Sequence, residues 1–156
     1  MNPRVVCNTG PLIALSLIGC QDILSKLFRP VVTQTVLDEW SKGAKINQRV
    51  LPESFDLVQS PPIPQLLAIQ LDDGEASVVQ TAISMGIQTV VIDERKGRKI
   101  ARRVYGLKTI GTAGLLVLGN RRGLIGPLSP LFAKLQFESY WIAAPIVDWA
   151  LKSVGE

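Results

Sequence analysis

At 156 residues, with 47% apolar and 19% charged side chains, the chain has the composition of one folded unit over 1–156 and lies far from the disordered range. A formal charge of +4 suits a polyanionic partner, and no apolar run reaches the roughly 20 residues a membrane-spanning helix needs, so no membrane role is expected. There is no histidine, which excludes serine–histidine and cysteine–histidine catalysis, H-E-x-x-H zinc chemistry and any imidazole general base.

The N-terminal Met1-Asn2-Pro3-Arg4 runs straight into Val5-Val6-Cys7, a short buried strand, without the small-residue cleavage site of a secretory leader. The strand stops at Asn8-Thr9-Gly10-Pro11. Thr9 or Gly10 is placed to cap a helix, Pro11 suits its first turn, and Leu12, Ile13, Leu15 and Leu17 make it mostly buried. Cys7 and Cys20 form no C-x-x-C pair and sit among apolar neighbours, which points to buried free thiols and a reducing cytoplasm. A second short helix is expected over about 21–28, then a strand at Val31-Val32. Thr33 or Thr35 caps the next helix, which carries Val36, Leu37, Glu39 and Trp40. From 41 to 64 the signals fade, and Pro52, Pro61, Pro62 and Pro64 predict a long connection with some irregular extended chain.

Asp72-Asp73-Gly74 opens the clearest helix, with Ala76, Val79, Ala82 and Ile83 on one face and Gly86 at its end. Thr89-Val90-Val91-Ile92 reads as a buried strand ending at Asp93. A basic helix follows to about 105, then a short strand Lys108-Thr109-Ile110. Gly111-Thr112 starts a helix through Leu115, Leu116 and Leu118, and two more helices are expected around 128–135 and 145–154. Short β-branched runs alternating with helical periods are the pattern of α/β architecture.

In open α/β sheets, sites form beyond the carboxyl ends of parallel strands. Asp93 follows a strand directly, Glu75 lies in the first turn of a helix, Glu39 lies early in a helix entered from a strand, and Asn8 ends the first strand. Carboxylates gathered there repel one another, and a hard cation such as Mg²⁺ or Mn²⁺ relieves the repulsion by taking oxygen ligands. Such an ion also polarises a phosphoryl oxygen, so the lack of histidine is no obstacle. Each position has a plainer use as well. Glu75 completes an Asp72-x-x-Glu75 capping box, Asp93 could cap the basic helix, Glu39 beside Asp38 could face solvent, and Asn8 could serve the turn.

Taken in order, five blocks resemble the PIN-domain family. They are Val5-Val6-Cys7-Asn8-Thr9-Gly10-Pro11-Leu12-Ile13; Val31-Val32-Thr33-Gln34-Thr35-Val36-Leu37-Asp38-Glu39-Trp40; Asp73-Gly74-Glu75-Ala76, similar to the G-E-A block of one branch; Thr89-Val90-Val91-Ile92-Asp93-Glu94; and Gly111-Thr112-Ala113-Gly114. The ending, from Phe137 through Trp141-Ile142 to Leu151, is similar to that branch too. The resemblance covers nearly the whole chain. It implies a three-layer α/β/α sandwich with a central, mainly parallel sheet and a Mg²⁺ or Mn²⁺ site held by Glu39, Glu75 and Asp93 with help from Asn8. It further implies cleavage of single-stranded RNA, a toxin role opposed by a small antitoxin protein, and a homodimer. One departure is Asn8, where the family has Asp. An amide offers an oxygen without charge, which weakens metal binding and leaves Asp72, Asp73 or Glu94 as possible compensation. A PIN-like module that binds RNA or protein without cleaving is the competing reading. A nucleotide-binding Rossmann enzyme is disfavoured, since neither G-x-G-x-x-G nor G-x-x-x-x-G-K-[ST] occurs.

Arg95, Lys96, Arg98, Lys99, Arg102 and Arg103 crowd the helix after Asp93, with Ile100, Ala101 and Val104 as its buried stripe. They form either a solvated face or a phosphate track leading to the acidic site, extended by Arg121 and Arg122. Trp40, Trp141 and Trp149 fall at apolar positions and read as core or dimer interface rather than as stacking surfaces.

Overall fold

The computed structural model describes residues 2–42 and 51–156. Five short strands, β1 (Arg4–Cys7), β2 (Arg29–Thr33), β3 (Asp56–Val58), β4 (Thr89–Val91) and β5 (Lys108–Ile110), form one sheet in the order β3-β2-β1-β4-β5. Every pairing is parallel. Parallel strands need crossovers, and the helices between them cover both faces of the sheet, as the sequence pattern predicts. The central strands are uniformly apolar for the same reason: Val5, Val6, Cys7, Val31, Val32, Val90 and Val91 are all inaccessible to solvent. The strand order reverses between β1 and β4. Asn8 lies just beyond this point, its amide donating to the Val91 carbonyl at 2.9 Å.

The helices follow the local chemistry. Helix α1 (Thr9–Leu17) is capped at the Asn8 position, not at Thr9 or Gly10, because Asn8 is still in the extended conformation. Helix α2 (Asp22–Leu27) buries Ile23, Leu24 and Leu27. Helix α3 (Gln34–Lys42) begins at Thr33, whose Oγ1 accepts from the Val36 amide at 3.1 Å, and it buries Trp40 completely. The expected connection from 41 to 64 lies partly outside the described residues. Its later part contains the edge strand β3, and helix α4 (Gln65–Gln70), which the sequence reading did not anticipate, follows Pro64.

Helix α5 (Asp73–Met85) has both expected punctuation marks. Asp72 accepts from the Glu75 amide at its start, and Gly86 takes the left-handed conformation at φ 67° at its end. It packs against β1, β2 and β4, and a Ser77–Thr33 hydroxyl bond of 2.8 Å fixes it against β2. Ile83, expected on its buried face, is instead exposed. Helix α6 (Arg95–Arg103) is the basic one. Its buried stripe is Gly97 and Ala101 with Ile100 half-buried, while Val104 is exposed beyond its end. Helices α7 (Thr112–Arg121), α8 (Ser129–Phe137) and α9 (Ala144–Ser153) complete the chain. The Glu156 carboxylate accepts from the Leu128 and Ser129 amides at the start of α8. Cys7 and Cys20 are buried free thiols, and burial pushes the Cys7 thiol up to about 12, so it stays protonated and inert. Among the described residues, no helix is long and apolar enough to cross a membrane.

Candidate functional site

Of the carboxylates singled out from the sequence, Glu39 and Asp93 meet the start of α1, which Asn8 precedes beyond β1, while Glu75 lies against α6. Glu39, on the exposed side of α3, accepts a hydrogen bond from Thr9 Oγ1 at 2.9 Å. Its carboxylate also lies against Gly74, the residue before Glu75. A Cβ at Gly74 would come within 2.5 and 2.7 Å of the two Glu39 oxygens. Glu75 is buried, and its carboxylate rests in turn against Gly97 of α6. The Asp72 and Glu94 carboxyl groups are its neighbours. Asp93 lies beside Gly10, where a Cβ would be 3.9 Å from its own Cβ. The contacts thus fall into three local sets: Thr9, Glu39 and Gly74; Glu75 with Asp72, Glu94 and Gly97; and Asp93 beside Gly10.

Asp93 does not cap α6, because Glu94 does: its two oxygens accept from the Lys96 and Gly97 amides at 3.0 and 2.7 Å. Burial works against the Glu94 charge, but those amides, the Glu75 hydroxyl and the Lys96 charge outweigh it and hold its pKa below the usual carboxylate range. Asp93 is instead gripped from the far side of the site. The Thr112 amide donates to Oδ1 and the Thr112 hydroxyl to Oδ2, both at 2.6 Å, and the Tyr140 hydroxyl donates to Oδ2 as well. Burial and the Asp93 charge push the Tyr140 hydroxyl well above its ordinary value, so it remains a donor. Tyr140 was not singled out from the sequence. It lies 47 positions from Asp93, in a segment without helical or strand periodicity, and no local pattern could have joined the two.

Two buried oxygens here have no hydrogen-bond partner, Asn8 Oδ1 and Glu75 Oε2. Burial, then the Asp72 and Glu94 carboxyl groups beside it, push Glu75 from 4.5 up to about 8, so the carboxyl keeps its proton at neutral pH unless a cation displaces it. Because the folded value lies above the unfolded one, this group favours the fold most below pH 4.5, and that contribution is lost as pH rises toward 8. In metal-free protein, Glu75→Gln should therefore flatten the fall in melting temperature between acid and alkaline pH, with a difference on the order of 3 kcal/mol at the alkaline end. Parallel stability curves for the two proteins would contradict a perturbed Glu75.

The donors are all oxygens, the type Mg²⁺ and Mn²⁺ take, and the two unpartnered ones are sealed from bulk water. Among the described residues, no three carboxylate or thiol side chains close around one point as a cage. Mg²⁺ is commonly held by only one or two carboxylates, with waters and substrate phosphate filling the remaining positions, so the donor set fits such an ion.

Gly74 gives the sharpest local test. Alanine is favoured over glycine in a helix by about 1 kcal/mol, and the obstacle at this position is the far end of a flexible side chain. Gly74→Ala should leave the melting temperature unchanged or raised while displacing the Glu39 carboxylate, and Mn²⁺ affinity by calorimetry should fall about tenfold or more. Unchanged affinity would remove Glu39 from the ligand set.

A cavity of about 410 Å³ opens beside these groups, with Asn8, Asp93, Glu94, Arg95, Tyr140 and Trp141 among its walls. Glu39 and Glu75 do not line it. Arg98 is half-buried near Asp93, and both side chains approach within 2.8 Å of the point a Gly111 Cβ would occupy. Arg95, Lys96, Lys99, Arg102 and Arg103 are exposed. Arg121 donates to the Ser153 carbonyl at 3.1 Å, which ties it to the end of α9. Of the tryptophans, Trp40 is core as expected. Trp141 and Trp149 are 82% and 52% exposed, and Trp141 lies in an irregular link, not in a helix or strand. No curated protein compared with the chain matches it. The family profile described as a PIN domain matches residues 4–156.

Proposed function

The chain belongs to the PIN-domain family, a nuclease-type fold, and on that premise we propose that it is a divalent-metal-dependent endoribonuclease cleaving single-stranded RNA. The observation that supports this reading is Asn8 Oδ1, a buried oxygen without a hydrogen-bond partner, on a residue that lines one cavity with Asp93 and Glu94 just beyond the reversal of strand order. Glu39, Glu75, Asp93 and Asn8 are the residues that would hold Mg²⁺ or Mn²⁺. The ion, when bound, supplies positive charge that polarises a phosphoryl oxygen and eases the ionisation of water.

The protein's own groups do the rest. Thr112 and Tyr140 hold the Asp93 carboxylate in one orientation with three donors, so that it does not reorganise when charge develops. Arg95 and Lys96 at the start of α6 face the incoming backbone, and Lys99, Arg102 and Arg103 extend the positive face; Arg98 stands nearest Asp93. These contacts neutralise phosphates and set register without reading bases. Replacing Arg102 and Arg103 together with Gln should weaken RNA binding for every sequence alike and reduce the salt slope by about 0.7 per lost phosphate contact. A slope equal to the wild-type value would return this face to solvent.

The toxin role, a small antitoxin partner, a homodimer and a cytoplasmic location, with the whole of 1–156 acting as a single PIN-like domain, complete the proposal. They are supported by the resemblance of the sequence blocks. The competing reading, an inert PIN-like module that binds RNA or protein, is favoured by one observation, Asn8 in place of a carboxylate. Incubation with labelled single-stranded RNA, in Mn²⁺ and in chelator, tests the enzyme directly. Calorimetric titration with Mn²⁺ separates the two readings. Heat of binding together with cleavage supports the nuclease, whereas RNA binding without either metal binding or cleavage supports the module.

A further inference from the structure

Trp141 is the most conspicuous side chain that the proposed reaction leaves unused. Its indole is 82% exposed, although it forms part of the wall of the cavity shared by Asn8, Asp93, Glu94 and Arg95. The backbone that presents it is held in place. Ser139 turns the chain in the left-handed conformation at φ 62°, the Tyr140 amide donates to the Leu135 carbonyl at 2.9 Å, and the Tyr140 hydroxyl is bound to Asp93. The residue before the indole is thus tied directly to the acidic site. The other exposed aromatics, Phe137 and Trp149, do not line this cavity.

We propose that Trp141 is the platform on which an unpaired nucleobase of the RNA stacks beside Asp93. The inference deepens the RNA-directed reading and rests on it. Recognition of single strands combines a positive track for the backbone with an aromatic face for a base, and every base has a π-face to offer. Both elements meet here: Arg95 lies in the same cavity wall as Trp141 and begins the basic face of α6. An RNA strand whose phosphates follow that face reaches the cavity at Arg95, and the flat, solvent-exposed indole is the apolar surface available to the adjacent base. A duplex cannot use the platform, because its bases are already stacked, so Trp141 selects for unpaired substrate.

The test measures binding in chelator, independently of cleavage, by fluorescence anisotropy of a labelled single-stranded oligoribonucleotide. Trp141→Ala should weaken binding roughly tenfold or more, and Trp141→Phe should recover a substantial part of the loss. Inorganic polyphosphate, which has no bases, should bind wild-type and Trp141→Ala protein alike. Equal oligoribonucleotide affinity of wild-type and Trp141→Ala protein overturns the platform and leaves the RNA reading intact, and a simultaneous change in sedimentation behaviour would assign the indole to a protein interface. Failure of the wild-type protein to bind the oligoribonucleotide at all overturns the RNA reading, and the platform with it. Equal losses in Trp141→Ala for polyphosphate and for RNA also overturn it, since the side chain would then act on the fold of the site.

Discussion

Asp93→Asn should abolish Mn²⁺-dependent RNA cleavage, lowering the rate by roughly 10²- to 10³-fold, while circular dichroism and melting show a folded protein. The size of the effect follows from how Asp93 is held. Three donors converge on its two oxygens, and none of them is a cation, so the negative charge on this carboxylate is available to an ion or to the developing charge of the reaction. An amide keeps the acceptor for the Thr112 backbone N–H. Its NH₂ group then confronts the Thr112 and Tyr140 hydroxyls, which must turn away or accept instead. Charge and orientation are lost together, whereas the fold, built from the valines behind the site, is untouched. Cleavage at the wild-type rate would exclude Asp93 from the chemistry.

The second large effect is a gain. Asn8→Asp should tighten Mn²⁺ binding by about tenfold, roughly 1.4 kcal/mol, and raise cleavage in step at subsaturating metal. Asn8 is 9% exposed and its Oδ1 has no partner, so a carboxylate there points the same oxygen into the same space with a full charge behind it. Metal-free protein should respond in the opposite direction. A new buried charge in the cavity shared with Glu94 and Asp93 adds to their repulsion more than the exposed Arg95 in the same wall offsets, and the variant should melt lower in chelator than the wild type and recover on adding Mn²⁺. That crossover, with destabilisation in chelator and stabilisation in metal, is the signature of a ligand. A variant that binds metal no better than wild type would favour the inert module.

The parts of this structure legible in the sequence are those fixed by neighbours along the chain. Asp72 and Gly86 mark the limits of α5 because a cap and a left-handed terminus act within one turn. The buried strands were readable because a parallel sheet covered on both faces admits only apolar side chains in its centre. Of the four proposed ligand positions, Asn8 and Asp93 could be picked out because each follows a strand and Glu75 because it opens a helix, whereas Glu39, in the middle of α3, was picked out from its block alone. What the sequence did not reveal depends on distant partners. Prolines at 52, 61, 62 and 64 hid a three-residue edge strand and a six-residue helix, both held by packing more than by propensity. The Tyr140–Asp93 bond and the resting of Glu39 on Gly74 and of Glu75 on Gly97 are tertiary facts with no periodic trace. Trp141 was read as core or dimer interface, and its exposure removes the first of these, because an apolar side chain carries no local sign of whether the interior is already full.

The place of β1 in the sheet has a bearing on how the molecule is made. β1 precedes β2 in the chain and can find it early, but its other edge stays open until residues 89–91 have been synthesised. Asp93 then arrives without Tyr140, which is translated later still. The setting of Asp93 is therefore assembled from segments spread over more than a hundred positions, and it is complete only when the last of them has been made.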